Sequence, residues 1–525
     1  MKKIYLILTL MASNYANIGA QSIDTNQAFP NIKTREIEVV QQQWSQTRNS
    51  AGMALSLVQR GSFVSLGTYS NGGEFHRVQE GSSNRGLLFA TERYDRFNDK
   101  VMVKGSFKFN MNKEYDRAWS DVYDTYNANP YIYGSSVRGN YETQEFDLKL
   151  QLYTLNYGKF NFGLTLDYMV ADMARQRDPR SRSYLLDYSI IPSFVYNIDN
   201  NHKVGFNAYF RYDKEKMPGL TTVQTDPNLL YYTFSGLEHA EGKIGGYRGF
   251  SRQFISNILG ADVQYNLIKD NLKWLVSFGG EYNDQQILGD KKQSPGSYNS
   301  YSFSFKSDLL YHKGDKLHDF GVGYNYTNGG AQENRQQLVS ERDTITGITT
   351  QTWETIYTYK NRYTVKTNDA TIGWKMYSLS GTGGSYKWSA GASASYTKFE
   401  NYYFLPFSQY SASKINLSFN GAYDFLDDRY SSIVLELGLS GGLTTDSKLD
   451  VANENVVYTE ILSPDFVFHN KDTYGLGGSL SYYFPLSFVQ KTKLTGYTRL
   501  YGGNIFAKGT NGWYNVGIAI GLLTL

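Results

Sequence analysis

The residues of this chain best suited to chemistry are scarce. There is no cysteine, and there are six histidines, His76, His202, His239, His312, His318 and His469. Absent thiols exclude thiolate metal sites, a cysteine nucleophile and a disulfide scaffold. No two histidines have the His-x-x-x-His spacing that sets both imidazoles on one helix face toward a metal. His239 stands beside Glu238 and Glu241, and His469 stands near Asp465 and Asp472. Either group could make a carboxylate–imidazole base. Neither brings a second catalytic partner with it, so both are expected to be solvated loop residues. His202, His312 and His318 are expected at solvated turns. Gly381-Thr382-Gly383-Gly384 lacks the Lys-Ser/Thr of a phosphate loop and reads as a hairpin turn, as does Asn328-Gly329-Gly330. The expectation is a protein that is not an enzyme, with no cofactor and no metal.

The other groups with chemical capacity are charges at alternate positions. Glu145, Asp147 and Lys149 interleave with Phe146, Leu148 and Leu150. Asp167, Arg211, Asp213, Lys273, Glu281, Asp319 and Glu436 occupy the same kind of position in other segments, as do Lys306 and Lys375. A water-soluble core cannot bury so many charges at tolerable cost. A water-filled or hydrogen-bonded lumen can hold them. Their signs are mixed, whereas a strongly selective pore shows a ring of one sign. Mixed charge fits a weakly selective channel or an interior closed by ion pairs.

The elements that position these charges are strands. Phe160, Phe162, Leu164, Leu166, Tyr168 and Val170 alternate with Asn161, Gly163, Thr165, Asp167 and Met169. The period of two recurs through Val204–Tyr212, Leu272–Phe278, Tyr301–Phe305, Phe320–Tyr326, Ala370–Met376, Ile415–Phe419, Ile433–Leu439 and Tyr474–Tyr482. Runs of about 10–14 residues are long enough to cross a bilayer when tilted. Many end in Tyr, Trp or Phe, as interfacial girdles require. Short polar turns such as Ile198-Asp199-Asn200-Asn201 and Lys313-Gly314-Asp315 alternate with long irregular stretches at 113–140, 214–252, 330–362 and 445–467. The fold class read from this is all-β: an antiparallel transmembrane β-barrel of about 16–18 strands, with short periplasmic turns and long extracellular loops. After the N-terminus no apolar run approaches the ~18 residues of a spanning helix. The final run, Tyr514 to Leu522, alternates too and supplies the strand that closure needs.

Met1-Lys2-Lys3 and the apolar Ile4–Ala12 read as a signal peptide over 1–20, and Ile18-Gly19-Ala20 is the cleavage site. Residues 21–61 do not alternate. Glu36 to Thr47 fits one amphipathic helix with Ile37, Val40 and Trp44 on one side, and the segment is expected to plug the lumen or cap the periplasmic mouth. The barrel is assigned to 62–525, in the outer membrane. Net charge is only +3, which gives no electrostatic case for nucleic acid. Partners are expected to be outer-membrane lipid and a small solute or an envelope protein. Trp119, Tyr123, Tyr131 and Tyr133 crowd one long loop, and Tyr231, Tyr232 and Tyr247 another. Such neutral aromatic loops either bind a glycan or protein or pack on each other over the mouth.

Gly73-Glu74-Phe75-His76-Arg77-Val78-Gln79-Glu80-Gly81, with Phe89-Ala90-Thr91-Glu92-Arg93-Tyr94, resembles a family of uncharacterised outer-membrane barrels of Bacteroidota. The resemblance implies a barrel and assigns no catalytic residue. Arg48-Asn49-Ser50-Ala51-Gly52-Met53-Ala54-Leu55 is similar to the start of barrels related to long-chain fatty-acid transporters, which carry Pro where Ser50 stands. That likeness implies hydrophobic-solute transport. A TonB-dependent transporter is not expected, because residues 21–61 are too few for its plug domain. The functional expectation is a passive channel or transporter for a small solute, or else a non-conducting scaffold or receptor-like subunit that works through its loops.

Overall fold

A computed structural model describes residues 32–55, 61–155, 157–223, 230–244, 250–380, 385–426, 431–486 and 494–524. The stretch 1–20 expected to be a signal peptide, Tyr247, Gly381–Gly384, and Leu525 lie outside the described residues. The strands are β1 Gly61–Gly73, β2 Ser83–Asn98, β3 Val101–Arg117, β4 Tyr133–Ser135, β5 Gly139–Thr154, β6 Phe160–Arg175, β7 Arg182–Asn197, β8 His202–Met217, β9 Leu230–Gly236, β10 His239–Ile244, β11 Arg252–Lys269, β12 Leu272–Gly289, β13 Gly296–Lys313, β14 Lys316–Arg342, β15 Thr349–Leu379, β16 Tyr386–Tyr403, β17 Ser408–Asp424, β18 Ser432–Asp450, β19 Thr473–Leu486, β20 Leu494–Ala507 and β21 Trp513–Thr524. Among the described residues the α-helices are α1 Ile32–Gln41 and α2 Ser463–His469.

All strands except β4, β9 and β10 form one 18-stranded antiparallel sheet. Each pairs with its barrel neighbours in chain order, and β21 returns to β1, with Tyr69 opposite Gly517 and Phe63 opposite Leu523. Closure leaves no unpaired edge within the membrane. The period of two then sorts side chains to two faces. Phe278, Phe303, Phe419, Leu439, Leu476 and Ile520 are each at least half exposed on the outer face. An apolar surface of this extent around a closed barrel is covered by lipid. The protein is an outer-membrane barrel. Both barrel termini lie at the mouth with the short turns, which is the periplasmic one. There Asp199 accepts the backbone N–H of Asn201 and of His202 at 2.7 Å each, which fixes the turn between β7 and β8.

The long stretches carry more structure than the sequence suggested. Residues 330–362 are no loop. β14 and β15 pair beyond the barrel as a two-stranded ribbon, turning at Asp343, whose carboxylate accepts N–H bonds from Ile345 and Thr346. Beyond Glu333 on β14 and Tyr363 on β15 neither strand pairs with a further strand. The ribbon projects by roughly 30 Å at the usual rise per residue. Asn328-Gly329-Gly330 accordingly sits inside β14 and not at a turn. Gly329 is there because the Tyr298 ring lies over it, where a Cβ would collide.

At the extracellular mouth, β4, β9 and β10 make a small sheet, which packs with α2 and the 118–138 loop. Asp121 is its anchor. It accepts from the buried Tyr141 and Tyr231 hydroxyls, and the Arg175 guanidinium stands 3.5 Å away. Arg77 clamps Asp465 of α2 with two bonds of 2.6 and 2.8 Å. The mouth is therefore roofed by folded loops.

Candidate functional site in the barrel lumen

Residues 32–55 lie inside the barrel, toward the periplasmic mouth. The predicted single helix 36–47 is instead α1 ending at Gln41, then a 3-10 turn Gln43–Gln46 and another over Ser50–Leu55. The break separates the apolar side chains read as one face. Ile37 and Val40 pack on Leu310, Leu317, Tyr377 and Tyr386, whereas Trp44 packs on Val195, Leu275 and Ala51.

Polar contacts tie the segment to the wall on several sides. Lys33 forms a buried ion pair with Asp424 and also donates to the Tyr386 carbonyl at 2.9 Å. Glu36 accepts from Lys375 at 2.6 Å and from Tyr386 at 2.7 Å. Gln43 donates to the Asp308 carbonyl at 2.8 Å. Asn49 donates to Gln264 at 2.9 Å and to the Phe194 carbonyl at 3.1 Å. Arg48 lies over the Tyr209 ring, 4.4 Å from its centroid. The wall is hollowed to receive the segment. A Cβ at Gly205 would stand 2.7 Å from the Trp44 ring, and one at Gly163 would meet the backbone of Ala51.

These contacts are unevenly distributed. They engage β3, β5 to β8 and β11 to β17, whereas the sector formed by β18 to β21, β1 and β2 is touched through Arg35, which pairs with Glu92 at 2.5 Å and lies over Phe63. In that sector the inward positions are small. One row runs through Asn420, Gly438, Gly477, Gly503 and Asn515. Tyrosines lie flat over the glycine directly opposite: Tyr501 over Gly517, Tyr497 over Gly521 and Tyr69 over Gly86. A glycine opposite a ring lets the ring lie on the wall, so these large side chains leave the lumen clear. The result is a cavity of about 830 Å³ along this sector of the wall. The Arg499–Glu436 ion pair at 2.5 Å borders it, over a third exposed on each side, with Ser479 donating to the same carboxylate at 2.6 Å.

Nine of the ten lumen candidates lie on strands that the segment engages, and Glu436 lies on β18 in the other sector. They are mostly paired. Lys149 meets Asp167 at 2.9 Å, Asp147 meets Lys108 at 3.4 Å, and Arg211 spans Asp187 at 2.7 Å and Asp213 at 3.7 Å. Glu281 accepts from Tyr209 at 2.6 Å and Glu145 from Tyr123 at 2.5 Å. The Lys273 carbonyl receives Gln43, Asp319 stands opposite Lys375, and Glu436 borders the cavity. Lys33, Glu36, Asp424 and Arg499 did not emerge from the sequence. The legible signal for this sector was glycine density at Gly438–Gly442, Gly475–Gly478 and Gly502–Gly503.

The loop aromatics turn inward. Trp119, Tyr131, Tyr133, Tyr231 and Tyr232 are all buried in the roof, and Tyr123 is partly buried against Glu145 and Glu215. They are the roof's own core and offer no free ring surface. Nor are His239 and His469 solvated. His239 stacks on Tyr403 at 3.7 Å with Glu238 3.1 Å from its Nε2. His469 is enclosed by Phe399, Phe468 and Tyr410, with Asp465 3.7 Å away. Burial, reinforced by Arg77 and Lys414, lowers the His469 imidazole to about 4 against the opposing pull of Asp465. Among the described residues no cluster of three or more His, Cys, Asp and Glu could hold a metal ion.

Comparison with known proteins found solved structures and one family model. A copper transporter, OprC, is similar over 89% of this chain and 80% of its own, at 9% identity and TM-score 0.40. A FadL homologue from Pseudomonas aeruginosa is similar over 91% and 93%, at 10% identity and TM-score 0.34. The alcaligin outer membrane receptor FauA from Bordetella pertussis is similar over 88% and 75%, at 10% identity and TM-score 0.41. No curated protein matches the sequence. A family model does match, over residues 50–524, and by that match the chain belongs to DUF6850, a family of unknown function.

Proposed function

We propose that this barrel is a gated outer-membrane channel for a small polar solute. Residues 32–55 are its plug, and the glycine-lined sector is its path. The carrying observation is the asymmetry of the lumen: a short segment docks on one side of the wall and leaves a cavity of about 830 Å³ against the other. A non-conducting barrel has no need of a wall whose tyrosines lie flat over glycines. The Arg499–Glu436 ion pair at the cavity, which an aliphatic solute would leave against apolar groups, argues against the hydrophobic solute suggested by the resemblance at Arg48–Leu55. The paired charges of the wall give weak ion selectivity.

The test is conductance of the refolded mature protein in a planar bilayer, beside a variant lacking residues 21–60. The reading expects small or infrequent steps from the whole protein and large steps from the truncated one. Silence in both, with folding verified by heat-modifiable gel mobility, overturns it. One feature favours the scaffold alternative: the β14–β15 ribbon carries Ile345, Ile348, Ile356 and Tyr357 well exposed outside the barrel, with both edges free to pair. Silence in the bilayer together with capture of an envelope protein that is lost on trimming residues 336–356 would establish that alternative.

A further inference from the structure

The cavity has a chemistry of its own, and three of its features point to one class of ligand. The first is its flat aromatic floor. Tyr69 and Tyr501, both only partly buried, each lie over a glycine of the neighbouring strand, so one face of each ring rests on the wall and the other faces the cavity. The face of a tyrosine ring is the negative side of its quadrupole and attracts weakly positive C–H groups. The second is charge balance. Arg499 is matched by Glu436 and Lys375 by Glu36, which leaves no unmatched charge among these cavity-lining groups to hold an ion of either sign. Each pair still presents partly exposed polar atoms, the guanidinium as a donor and the carboxylate as an acceptor. The third is size. About 830 Å³ lies within the range of small-molecule pockets.

A ligand matching these features is uncharged, has a C–H face for the rings, and carries hydroxyls at its rim that both donate and accept. We infer that the cavity binds a neutral saccharide of one to a few sugar rings. The rings stack on Tyr69 and Tyr501, and the hydroxyls exchange hydrogen bonds with Glu436, Arg499 and Asn420. An organic anion would have to displace a carboxylate from an existing ion pair. An aliphatic chain would strand both pairs in contact with apolar groups. This assignment deepens the channel reading and takes its path as the binding site.

Binding is measured at equilibrium by calorimetry on the refolded full-length mature protein in detergent. The probes are maltose, lactose and cellobiose, with gluconate and decanoate as the anionic and apolar competitors. The decisive variant is Gly438→Leu. Only backbone oxygens at 3.8 and 4.0 Å lie near the new Cβ, so the side chain enters the cavity without a clash. Tyr501→Leu removes one stacking face in a second, independent way. The expected result is saturable binding of at least one disaccharide, weakened tenfold or more by either substitution, and none of gluconate or decanoate. Gluconate or decanoate binding without a saccharide overturns the assignment, as does no binding of any probe. Saccharide binding unchanged in both variants overturns its location. Because calorimetry does not depend on conduction, the two readings fail separately. A silent bilayer with saccharide binding removes the channel and keeps the site, whereas conduction without binding does the reverse.

Discussion

The two sides of the lumen are built from the same strand pattern and use glycine for opposite ends. On the plugged side, Gly163 and Gly205 are glycine because another part of the chain presses against them. On the open side, Gly438 has no side-chain atom within 4 Å of where a Cβ would stand. Charges divide the same way. Asp424 and Lys375 are engaged by the segment, whereas the Arg499–Glu436 pair faces unfilled space. Alternation determines which face a residue lies on. What fills the space before that face is decided by a segment that does not alternate at all.

The comparison breaks most sharply at Asp424. It and Lys33 are almost fully buried, and Ser432 also donates to the carboxylate at 2.8 Å. Truncation to alanine leaves an uncompensated charge, at a cost of about 3–5 kcal/mol for such a pair. Asp424→Ala is expected to release the segment and, on the proposed channel reading, to give the behaviour of the 21–60 deletion. Protease cleavage within residues 32–55 reads the release directly. A protected segment in this variant would show that its docking does not rest on the Lys33 anchor.

Next in size is a paired test on glycine. Gly205→Ala drives a methyl into the Trp44 ring, and overpacking of this kind costs about 1–3 kcal/mol. Gly438→Ala meets open space and should leave plug protection unchanged. Equal protection in the two variants would erase the distinction between the sectors. Smaller again is Lys375→Gln. Its pair with Glu36 is roughly a third exposed on each side, so solvent screening holds its contribution to about 1 kcal/mol or less. Opening events should become somewhat more frequent, and the difference from the unmodified protein should shrink as salt rises.

The barrel was legible because lipid outside and water inside impose a period of two on every strand. The range of about 16–18 strands was read from that rule and from the turn residues, and the barrel has eighteen; the lumen candidates were read from the polar half of each strand. Residues 32–55 were less legible, since their apolar side chains serve different partners. Ile37 and Val40 answer to β13–β16, while Trp44 answers to β7 and β12, so the 3.6-residue period read across all three joined two surfaces. The roof misled for a related reason. A tyrosine-rich loop has the same composition whether its rings meet solvent or one another, and Asp121, which gathers Tyr141, Tyr231 and Arg175, gains its partners only when three distant stretches converge. Asn328-Gly329-Gly330 carried turn chemistry, but a ring from the adjacent strand needed that space.

The smallest expected effect separates the roof from the plug. His469 joins α2 to the wall among Phe399, Tyr410, Asp465, Arg77 and Lys414, and its imidazole is held down at about 4 instead of the usual 6.5. A depressed base takes up its proton more readily when undocked than when docked. The stabilisation present above pH 6.5 is therefore lost progressively as pH falls toward 4, and it falls no further below that. Mild acid should loosen the roof over this window, seen as faster amide exchange across 463–469. His469→Leu keeps an apolar side chain in the pocket and removes the titrating group, so its exchange should not accelerate between pH 6.5 and 4 in the same way. The Lys33–Asp424 anchor belongs to the opposite mouth, and plug protection serves as the internal control. If acid releases the segment as readily as the roof, or if the leucine variant keeps the full pH dependence, the roof's acid response does not originate at His469 and the two ends of the lumen open as one unit.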